Sequence, residues 1–310
     1  MKQNYTYGPV PSRRLGFSLG VDLVPFKTCS FDCIYCQCGK TTDKTCTRKE
    51  YHPTEDILNE VKRVLRENEH IDYITFSGSG EPTLHSRIGY LIQAIKKVTD
   101  IPIAVLTNGS LLHRQDVQDE LSYADVVAPT LCTADKQTFS QINRCHVNIT
   151  VDHIIHGLIS FRKRFKGQLW LEIVFVKNCN DSDKELEKLK SVIDQINPDK
   201  VHINTVVRPP SETSAQPISS GKMRKIKNVL GEKAEIIARF TRDAQSVGHI
   251  TEIEQQILNI IKRRPVTLEE IQHITGLHIH EVIKYLDALR ADNKIRITEH
   301  SGQKYYEPAQ

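Results

Sequence analysis

The sequence predicts an α/β fold built on a parallel sheet, followed by a smaller C-terminal module. Apolar runs typical of strands alternate with amphipathic segments typical of helices six times within residues 18–206. Sustained alternation of this kind indicates parallel strands joined by right-handed crossovers. Six units are too few to close an eight-stranded barrel, so the sheet is expected to stay open. A chain of 310 residues can hold one large domain and one small one.

The elements of the large domain follow from changes in apolar spacing along the chain. Residues 5–17 are rich in Pro, Gly and Arg, which predicts an irregular lead-in. Short apolar runs predict the strands 18–24, 73–76, 101–106, 125–128, 169–176 and 201–206. Spacing of three and four predicts helices over 54–65, with Thr54 as N-cap, and over 84–98, 113–123, 135–142, 151–165 and 183–196. Asn180 and Asp181 fit an N-cap for the last of these helices.

The C-terminal part has a different pattern. After a Ser-, Pro- and Thr-rich loop over 211–220, a helix at 221–230 and a short strand at 234–238 are expected to complete the sheet. Helices are then predicted over 253–261, 268–275 and 279–291, with Thr267 and Glu270 forming a capping box. Alternating residues on both sides of Ser301-Gly302 predict a hairpin. The sequence therefore divides into domains 1–240 and 241–310.

Three helices followed by a hairpin resemble a winged helix-turn-helix, which in many proteins places its third helix in a DNA groove. The third helix here carries acidic residues and histidines beside its cations and is not strongly basic. Nucleic-acid contact and docking of a protein or substrate both stay open for this module.

Composition sets further limits. The contents of 39% hydrophobic and 26% charged residues are ordinary for a soluble globular protein. The net charge of +4 permits a nucleic-acid partner without arguing for one. No run is long enough to span a membrane and the N-terminus begins no signal sequence, so a cytoplasmic location with no membrane partner is expected. Eight cysteines in such a chain are expected to act as thiol ligands or packing groups.

Three cysteines lie close together directly after the first predicted strand. Cys29, Cys33 and Cys36 have the spacing C-x3-C-x2-C. Three thiolates saturate three irons of a cubane cluster and leave the fourth iron open, whereas electron-transfer clusters normally use four cysteines. A structural zinc site with Cys38 or Cys46 as fourth ligand is the alternative. A disulfide framework is disfavoured by the length of the chain and the lack of a signal peptide.

The spacing, with the aromatic Tyr35 just before the last cysteine, resembles the signature of the radical S-adenosylmethionine (SAM) superfamily. The resemblance implies an open, partial (β/α)6 barrel, a [4Fe-4S] cluster on Cys29, Cys33 and Cys36, and SAM chelating the free iron. In that family, reductive cleavage of SAM gives a 5′-deoxyadenosyl radical that abstracts hydrogen from a substrate, and Tyr35 would lie beside the adenine. Residues 8–16, Gly-Pro-Val-Pro-Ser-Arg-Arg-Leu-Gly, resemble a subgroup related to wybutosine-type tRNA-modifying enzymes.

Polar residues follow the predicted strands, where the chemistry of such sheets gathers. By family resemblance, the loop Ser79-Gly80-Glu81 would bind the amino group of SAM, with Glu81 accepting from the ammonium. Asn108 would contact its carboxylate or ribose, although an Asn-Gly turn needs no ligand. Thr130 stands where the subgroup often has a ribose-contacting serine.

Two further positions bear on the substrate. Cys132 stands where the subgroup often has an aspartate, so no substrate role is carried over to it. Arg208 ends the sixth predicted strand and is the candidate residue for gripping a substrate carboxylate or phosphate, with Glu172 as a buried acid that could pair with it. Arg13 and Arg14 could hold such an anion or simply pair with surface acids.

The resemblance implies a small reductant protein, flavodoxin or ferredoxin, as electron donor, and an oxygen-sensitive protein from an anaerobic source. A modified nucleoside or tRNA is the favoured substrate, and a protein substrate stays open. The rival hypotheses are a DNA-binding iron–sulfur sensor and a zinc-binding scaffold. A second cluster could draw on the remaining cysteines, which are Cys38, Cys46, Cys132, Cys145 and Cys179.

Overall fold

The protein is organised around one eight-stranded sheet with an open strand order. The computed structural model describes residues 5–68, 70–237, 252–300 and 303–309. The strand order is β1-β2-β5-β6-β7-β8-β9-β10, and a small pair, β3-β4, lies beside it. The strands are β1 Thr6–Ser12, β2 Gly16–Val21, β3 Thr28–Cys29, β4 Asp43–Lys44, β5 Tyr73–Phe76, β6 Ile103–Thr107, β7 Val126–Pro129, β8 Gln168–Phe175, β9 Lys200–Thr205 and β10 Ala234–Ile236.

The six predicted parallel strands are confirmed, with small shifts at their ends. Every neighbouring pair from β2 to β10 in the sheet is parallel, as crossover helices require. The lead-in predicted to be irregular is instead β1, which pairs antiparallel with β2. Proline is tolerated there because β1 is an edge strand, where a missing N–H removes no ladder bond on the open side.

Helices connect the parallel strands. They are α1 Thr54–Glu67, α2 Ile88–Lys96, α3 Gln115–Leu121, α4 Lys136–Asn143, α5 Val151–Arg164, α6 Asp183–Ile196 and α7 Ser220–Leu230. A short 3-10 turn, Pro82–Leu84, precedes α2 and takes the start of the helix predicted there. Two predicted caps are wrong: Pro53 stands at the N-cap of α1, and Ser182 caps α6 by accepting from Glu185 N.

The two faces of the sheet differ in chemistry. Residues such as Ile74, Phe76 and Ile173 pack against the helices in one large apolar cluster. The opposite face carries a separate and much smaller apolar cluster, which includes Ala104, Ala128 and Trp170. Side chains alternate between the two faces of a strand, so this second face is free to carry a site.

The C-terminal module contains three helices and a hairpin around its own apolar cluster. Its elements are α8 Glu252–Arg263, α9 Leu268–Thr275, α10 Ile279–Ala291, β11 Ile295–His300 and β12 Gln303–Pro308. The predicted capping box of Thr267 and Glu270 is confirmed at the start of α9. The winged-helix assignment stays a prediction, and the predicted boundary at residue 240 and turn at Ser301-Gly302 lie outside the described residues. Within the described ranges, no helix combines the length and the apolarity needed to cross a bilayer.

Candidate active site

The cysteine loop lies between β2 and α1, at the carboxyl end of the sheet. Cys29 closes the short strand β3, which pairs with β4 at the far end of the same loop. The loop is pinned to the end of α4 by two backbone bonds, from Asp32 N to Asn143 O at 3.0 Å and from Ile34 N to Ile142 O at 2.9 Å. All three motif cysteines are partly buried free thiols. The fold therefore holds the motif in a fixed loop rather than on a free surface turn.

Each motif sulfur accepts an N–H hydrogen bond from a different part of the site. The bonds are Lys27 Nζ to Cys36 Sγ at 3.2 Å, Asn143 Nδ2 to Cys33 Sγ at 3.4 Å, and both Asn108 Nδ2 and Phe31 N to Cys29 Sγ at 3.5 Å. Hydrogen bonds to cluster sulfurs are among the means by which a protein tunes an iron–sulfur centre. Lys27 and Asn143 could not be recognised from the sequence because their contacts with the sulfurs form only when the chain folds.

The three thiols differ in their ionisation. Burial raises the pKa of Cys29 to about 12 and that of Cys33 well above its usual value. A hydrogen bond from the Cys38 thiol, followed by the charge of Lys27, lowers the pKa of Cys36 to about 5. Cys36 is therefore the motif thiol most readily present as the thiolate that metals bind.

Cys38 follows the motif closely and was predicted as a possible fourth metal ligand. Its thiol bonds to Cys36 and lies 3.9 Å from His280 Nε2 in the C-terminal module. Cys38 thus stays a candidate for a fourth ligand.

The loop after β5 is interlocked with the cysteine loop. Lys27 N donates to Ser79 O at 2.8 Å, and Glu81 N donates to Thr28 O at 3.1 Å. A Cβ atom at Gly80 would lie 1.9 Å from Thr28 O, so only glycine permits this approach. Ser79 N donates to Asp22 Oδ2 at 2.9 Å, and its hydroxyl bonds to the same oxygen. The loop and the cysteines therefore form one unit.

The Glu81 carboxylate organises the two strand ends around it. It is buried and accepts four hydrogen bonds: from Thr83 N at 3.1 Å, Thr83 Oγ1 at 2.6 Å, Thr107 Oγ1 at 2.6 Å and Asn108 N at 2.7 Å. Burial raises the pKa of Glu81, and these bonds oppose that rise. The carboxylate is already engaged with protein donors.

The structure also brings together the other predicted cofactor residues. Asn108 Nδ2 donates to Ser30 Oγ at 2.8 Å as well as to Cys29. The hydroxyl of Tyr35 shares a 3.2 Å hydrogen bond with the buried thiol of Cys132. Thr130 continues β7 by donating its N–H to Thr107 O at 3.0 Å. All of these residues follow strands β6 and β7 or lie on the cysteine loop.

The predicted pairing of Arg208 with Glu172 is wrong. Glu172 pairs instead with Arg14, with an NH2-to-Oε2 distance of 3.1 Å, and accepts from Asn204 Nδ2 at 2.9 Å. Arg208 pairs through Nε with Asp287 on α10 and donates to Gln37. The reason is geometric: Arg14, in the turn after β1, reaches the interior face of β8, while Arg208 points to the C-terminal module.

Helix α10 lies against β1 and the strand ends of the site. Glu281 Oε1 accepts from Gly8 N at 2.9 Å. The ring of Tyr7 stacks on His278 and His280, with centroid distances of 4.7 and 5.1 Å. Both nucleic-acid contact and docking were open for α10, and the structure shows that this face of the helix is occupied by the large domain.

A second contact links α10 to the glycine-rich loop. His278 Nε2 donates to Asp22 Oδ2 at 3.1 Å, since His278 Nδ1 accepts from His280 N. Burial would raise the pKa of Asp22, but the hydrogen bond from His278 and the bond from Ser79 bring it below its usual value. The C-terminal module therefore touches the same carboxylate that holds Ser79.

The donor set fits an iron–sulfur cubane. Three thiols with three separate N–H donors, beside a glycine-walled loop, match the ligands and hydrogen bonds of such a centre. Within the described parts of the chain, no group of three or more His, Cys, Asp and Glu side chains is placed to hold a metal ion. Three thiols supply ligands for three of the four irons of a cubane, whereas a structural zinc site takes four protein ligands.

Comparison with known proteins finds one matching family model and several relatives of similar sequence. A model of the Radical SAM superfamily matches residues 23–189, more than half of the chain. The chain is 33% identical over 307 residues to a UPF0026 protein of Methanocaldococcus jannaschii, covering 97% of this chain and 94% of that protein. It is 38% identical over 298 residues to a Brachyspira hyodysenteriae protein named GTPase Obg, covering 96% of this chain but only 44% of that protein. The chain thus spans less than half the length of that relative.

A solved structure supports the fold. The chain resembles a radical SAM methyltransferase from Sphaerobacter thermophilus with a TM-score of 0.55 and 16% identity, over 74% of this chain and 67% of that one. At this identity the similarity concerns the fold alone.

Proposed function

Because the chain belongs to the radical SAM superfamily, whose enzymes use a [4Fe-4S] cluster and SAM, we propose that Cys29, Cys33 and Cys36 hold that cluster. The observation that carries the proposal is the set of N–H donors, one or more on each of the three sulfurs. When bound, the cluster supplies the electron that cleaves SAM to methionine and a 5′-deoxyadenosyl radical. The protein's own part is to bind, orient and shield the reactants.

The glycine-rich loop is the proposed site for the amino-acid end of SAM. Gly80 lets the loop pack closely against Thr28 O beside the cysteines, and Ser79 is held in place by Asp22. Glu81 keeps the loop in shape through its four hydrogen bonds, and its predicted acceptance from the SAM ammonium requires one of these donors to give way. Asn108 completes this end of the site.

The adenine and the ribose of SAM are proposed to contact Tyr35 and Thr130. Tyr35 is proposed to lie beside the adenine, with its hydroxyl held by Cys132 and Asn143. Thr130, at the end of β7, is proposed to contact the ribose. Arg208 is proposed to bind an anionic group of the substrate.

A modified nucleoside or tRNA is the proposed substrate class, on the resemblance of residues 8–16 to the wybutosine-type subgroup. The proposed role of the C-terminal module, which keeps the element order of a winged helix, is to dock the substrate at the sheet edge. The contacts of α10 with Tyr7 and Gly8 favour this role over the reading of DNA. Flavodoxin or ferredoxin is the proposed electron donor and the cytoplasm the proposed location.

The test is reductive cleavage of SAM by anaerobically reconstituted protein. Wild-type protein is expected to hold about four iron atoms per chain and to form 5′-deoxyadenosine with dithionite. Cys36→Ala is expected to lose both properties, and Cys179→Ala, which changes a cysteine outside the motif, is expected to keep them.

The rival functions give other results in the same experiment. A DNA-binding sensor would hold iron without forming 5′-deoxyadenosine, and a zinc scaffold would be colourless. Full cleavage by Cys36→Ala would refute the assignment of the cysteines.

A further inference from the structure

Helix α10 of the C-terminal module reaches the loop after β5, which is the proposed site for the amino-acid end of SAM. His278, at the N-cap of α10, donates from Nε2 to Asp22 Oδ2 at 3.1 Å. The same oxygen accepts from Ser79 N at 2.9 Å and also bonds to the Ser79 hydroxyl. One carboxylate oxygen of the large domain therefore joins α10 to this loop.

The contact between His278 and Asp22 is buried and closely fitted. Their side chains expose only 9% and 7% of their surface. A Cβ atom at Gly78 would lie 2.4 Å from Asp22 Cγ, so a side chain at this position would displace the carboxylate. A hydrogen bond to a charged group is strengthened where water is excluded, so this bond holds Asp22 in one orientation.

His278 is itself fixed at both its ring and its backbone. Its Nδ1 accepts from His280 N at 3.3 Å, which leaves Nε2 as the donor to Asp22. Its backbone N–H donates to Glu281 Oε2 at 3.1 Å, and Glu281 Oε1 accepts from Gly8 N on β1 at 2.9 Å. The start of α10 thus presents the imidazole to Asp22 in a defined position.

A second contact connects α10 to the same loop. The ring of Tyr7 stacks on that of His278 with the centroids 4.7 Å apart, and the Tyr7 hydroxyl shares a 2.7 Å hydrogen bond with Ser77 Oγ. A Cβ atom at Gly20 would lie 2.0 Å from Tyr7 Cζ, so the ring lies directly on β2. The module is therefore coupled to Ser77 as well as to Ser79.

We propose that His278 is a positioning residue for SAM binding, which acts through Asp22 on Ser79. A carboxylate kept in one orientation holds the Ser79 N–H and the backbone after it in place, which lowers the cost of ordering the loop when a ligand binds. The C-terminal module then completes the cofactor site. The inference rests on the proposed function in assigning this loop to SAM, whereas the effect of His278 on the order of the loop does not require SAM.

Two substitutions separate the roles of the two ring nitrogens. His278→Asn keeps a side-chain acceptor for the start of α10, since asparagine is a favoured N-cap, but its side chain is too short to reach Asp22. His278→Gln places an amide N–H near the position of Nε2 and gives up the favoured cap. A residue that only stabilises the helix is expected to follow the cap, and a positioning residue is expected to follow the donor.

The first measurement is equilibrium dialysis of SAM against the anaerobically reconstituted full-length chain. His278→Asn is expected to raise the dissociation constant of SAM by about tenfold, as the loss of one hydrogen bond to a charged group implies, without changing the iron content. His278→Gln is expected to restore most of the affinity. His273→Asn, at an exposed histidine of α9, is the matched control and is expected to bind SAM as the wild type does.

The second measurement is hydrogen–deuterium exchange of the reconstituted chain before SAM is added. His278→Asn is expected to speed exchange of the amides in residues 77–81 several-fold and to leave strand β8 unchanged. A general loss of stability would instead speed exchange in both segments, and that result would contradict a positioning role.

The outcomes distinguish this inference from the proposed function. Equal SAM affinities for the wild type, His278→Asn and His278→Gln would overturn the inference and leave the cluster assignment intact. Unchanged exchange over residues 77–81 in His278→Asn would overturn it as well. A wild-type chain that binds no SAM would overturn the proposed function, and the exchange measurement would still decide whether His278 orders the loop.

Discussion

The cysteine face differs from the seam, the region where Arg13, Arg14 and Arg208 face α10, in how its polar groups are satisfied. On the cysteine face, Glu81 has four protein donors and each motif sulfur has at least one. At the seam, the described hydrogen bonds of Arg13 go to neutral oxygens, whereas Arg14 pairs with Glu172 and Arg208 pairs with Asp287. The cysteine face resembles a finished support for a constant cofactor, whereas at the seam a partly buried guanidinium, that of Arg13, is held by neutral acceptors.

The extent of the family match agrees with this difference. The cysteines and the loops after β5 and β6 lie within residues 23–189, which match the superfamily. Arg13, Arg14, Arg208 and α10 lie outside that range. Features common to a large family are expected where the shared cofactor binds, and specificity is expected where chains differ.

The largest effect is expected from a change of Glu81, which tests whether its four hydrogen bonds hold the cysteine face together. Glu81→Ala leaves four donors without their acceptor, so we expect the free energy of unfolding to fall by about 3 kcal/mol. SAM binding should be lost with it. Urea unfolding of the full chain measures the change.

Glu67→Ala is the matched control, because Glu67 forms an exposed pair with Arg63 on α1. We expect it to change stability by less than about 0.5 kcal/mol. Similar losses in both variants would show that Glu81 does not organise the loop.

A smaller effect is expected from Lys27 on the reduction potential. Lys27→Met removes the positive charge and the N–H donor beside Cys36, which favour the reduced, more negative cluster. We expect the midpoint potential of reconstituted protein to fall by roughly 60 mV, about a tenfold shift in a one-electron equilibrium. Lys44→Met, at an exposed lysine, should leave the potential unchanged. An unchanged midpoint potential in Lys27→Met would show that Lys27 does not tune the cluster.

The smallest effect, when taken over one pH unit, is the pH dependence of stability at the seam. The folded-state pKa of Lys284, about 7, lies below that of an unfolded lysine, because burial and the nearby arginines disfavour its charge. Unfolding therefore takes up a proton between these values, and stability rises with pH across that window. Relative to Lys284→Met, the wild type should gain about 1 kcal/mol per pH unit above pH 7. Parallel pH profiles for the two proteins would show that the pKa of Lys284 is not lowered in the folded chain.

Much of the fold could be predicted because the spacing of apolar residues along the chain differs between helices and strands. Helices α6, α9 and α10 begin and end where the apolar periodicity places them. β1 was missed because Pro9 and Pro11 argue against a strand unless the strand is known to be an edge. Thr54 and Asn180-Asp181 failed as caps because several residues near a helix start can cap, and backbone geometry decides which one does.

The site was predictable only where residues lie close in sequence. The cysteine spacing and the Ser79-Gly80-Glu81 loop are visible as short motifs. The bond from Asn143 to Cys33 spans 110 positions, and that from His278 to Asp22 spans 256. Contacts of this kind arise from packing and leave no local pattern. The pairing of Glu172 with Arg14 rather than Arg208 has the same origin.

The central claim, a cluster with one iron left open for SAM, is tested most directly by electron paramagnetic resonance of the reduced, reconstituted chain. We predict that adding SAM changes the cluster spectrum of the wild type, and changes it equally in Cys38→Ser. Cys38 is the relevant variant because its thiol bonds to Cys36. A loaded cluster whose spectrum is unaffected by SAM in the wild type, but responds in Cys38→Ser, would mean that Cys38 closes the fourth corner and would contradict the account.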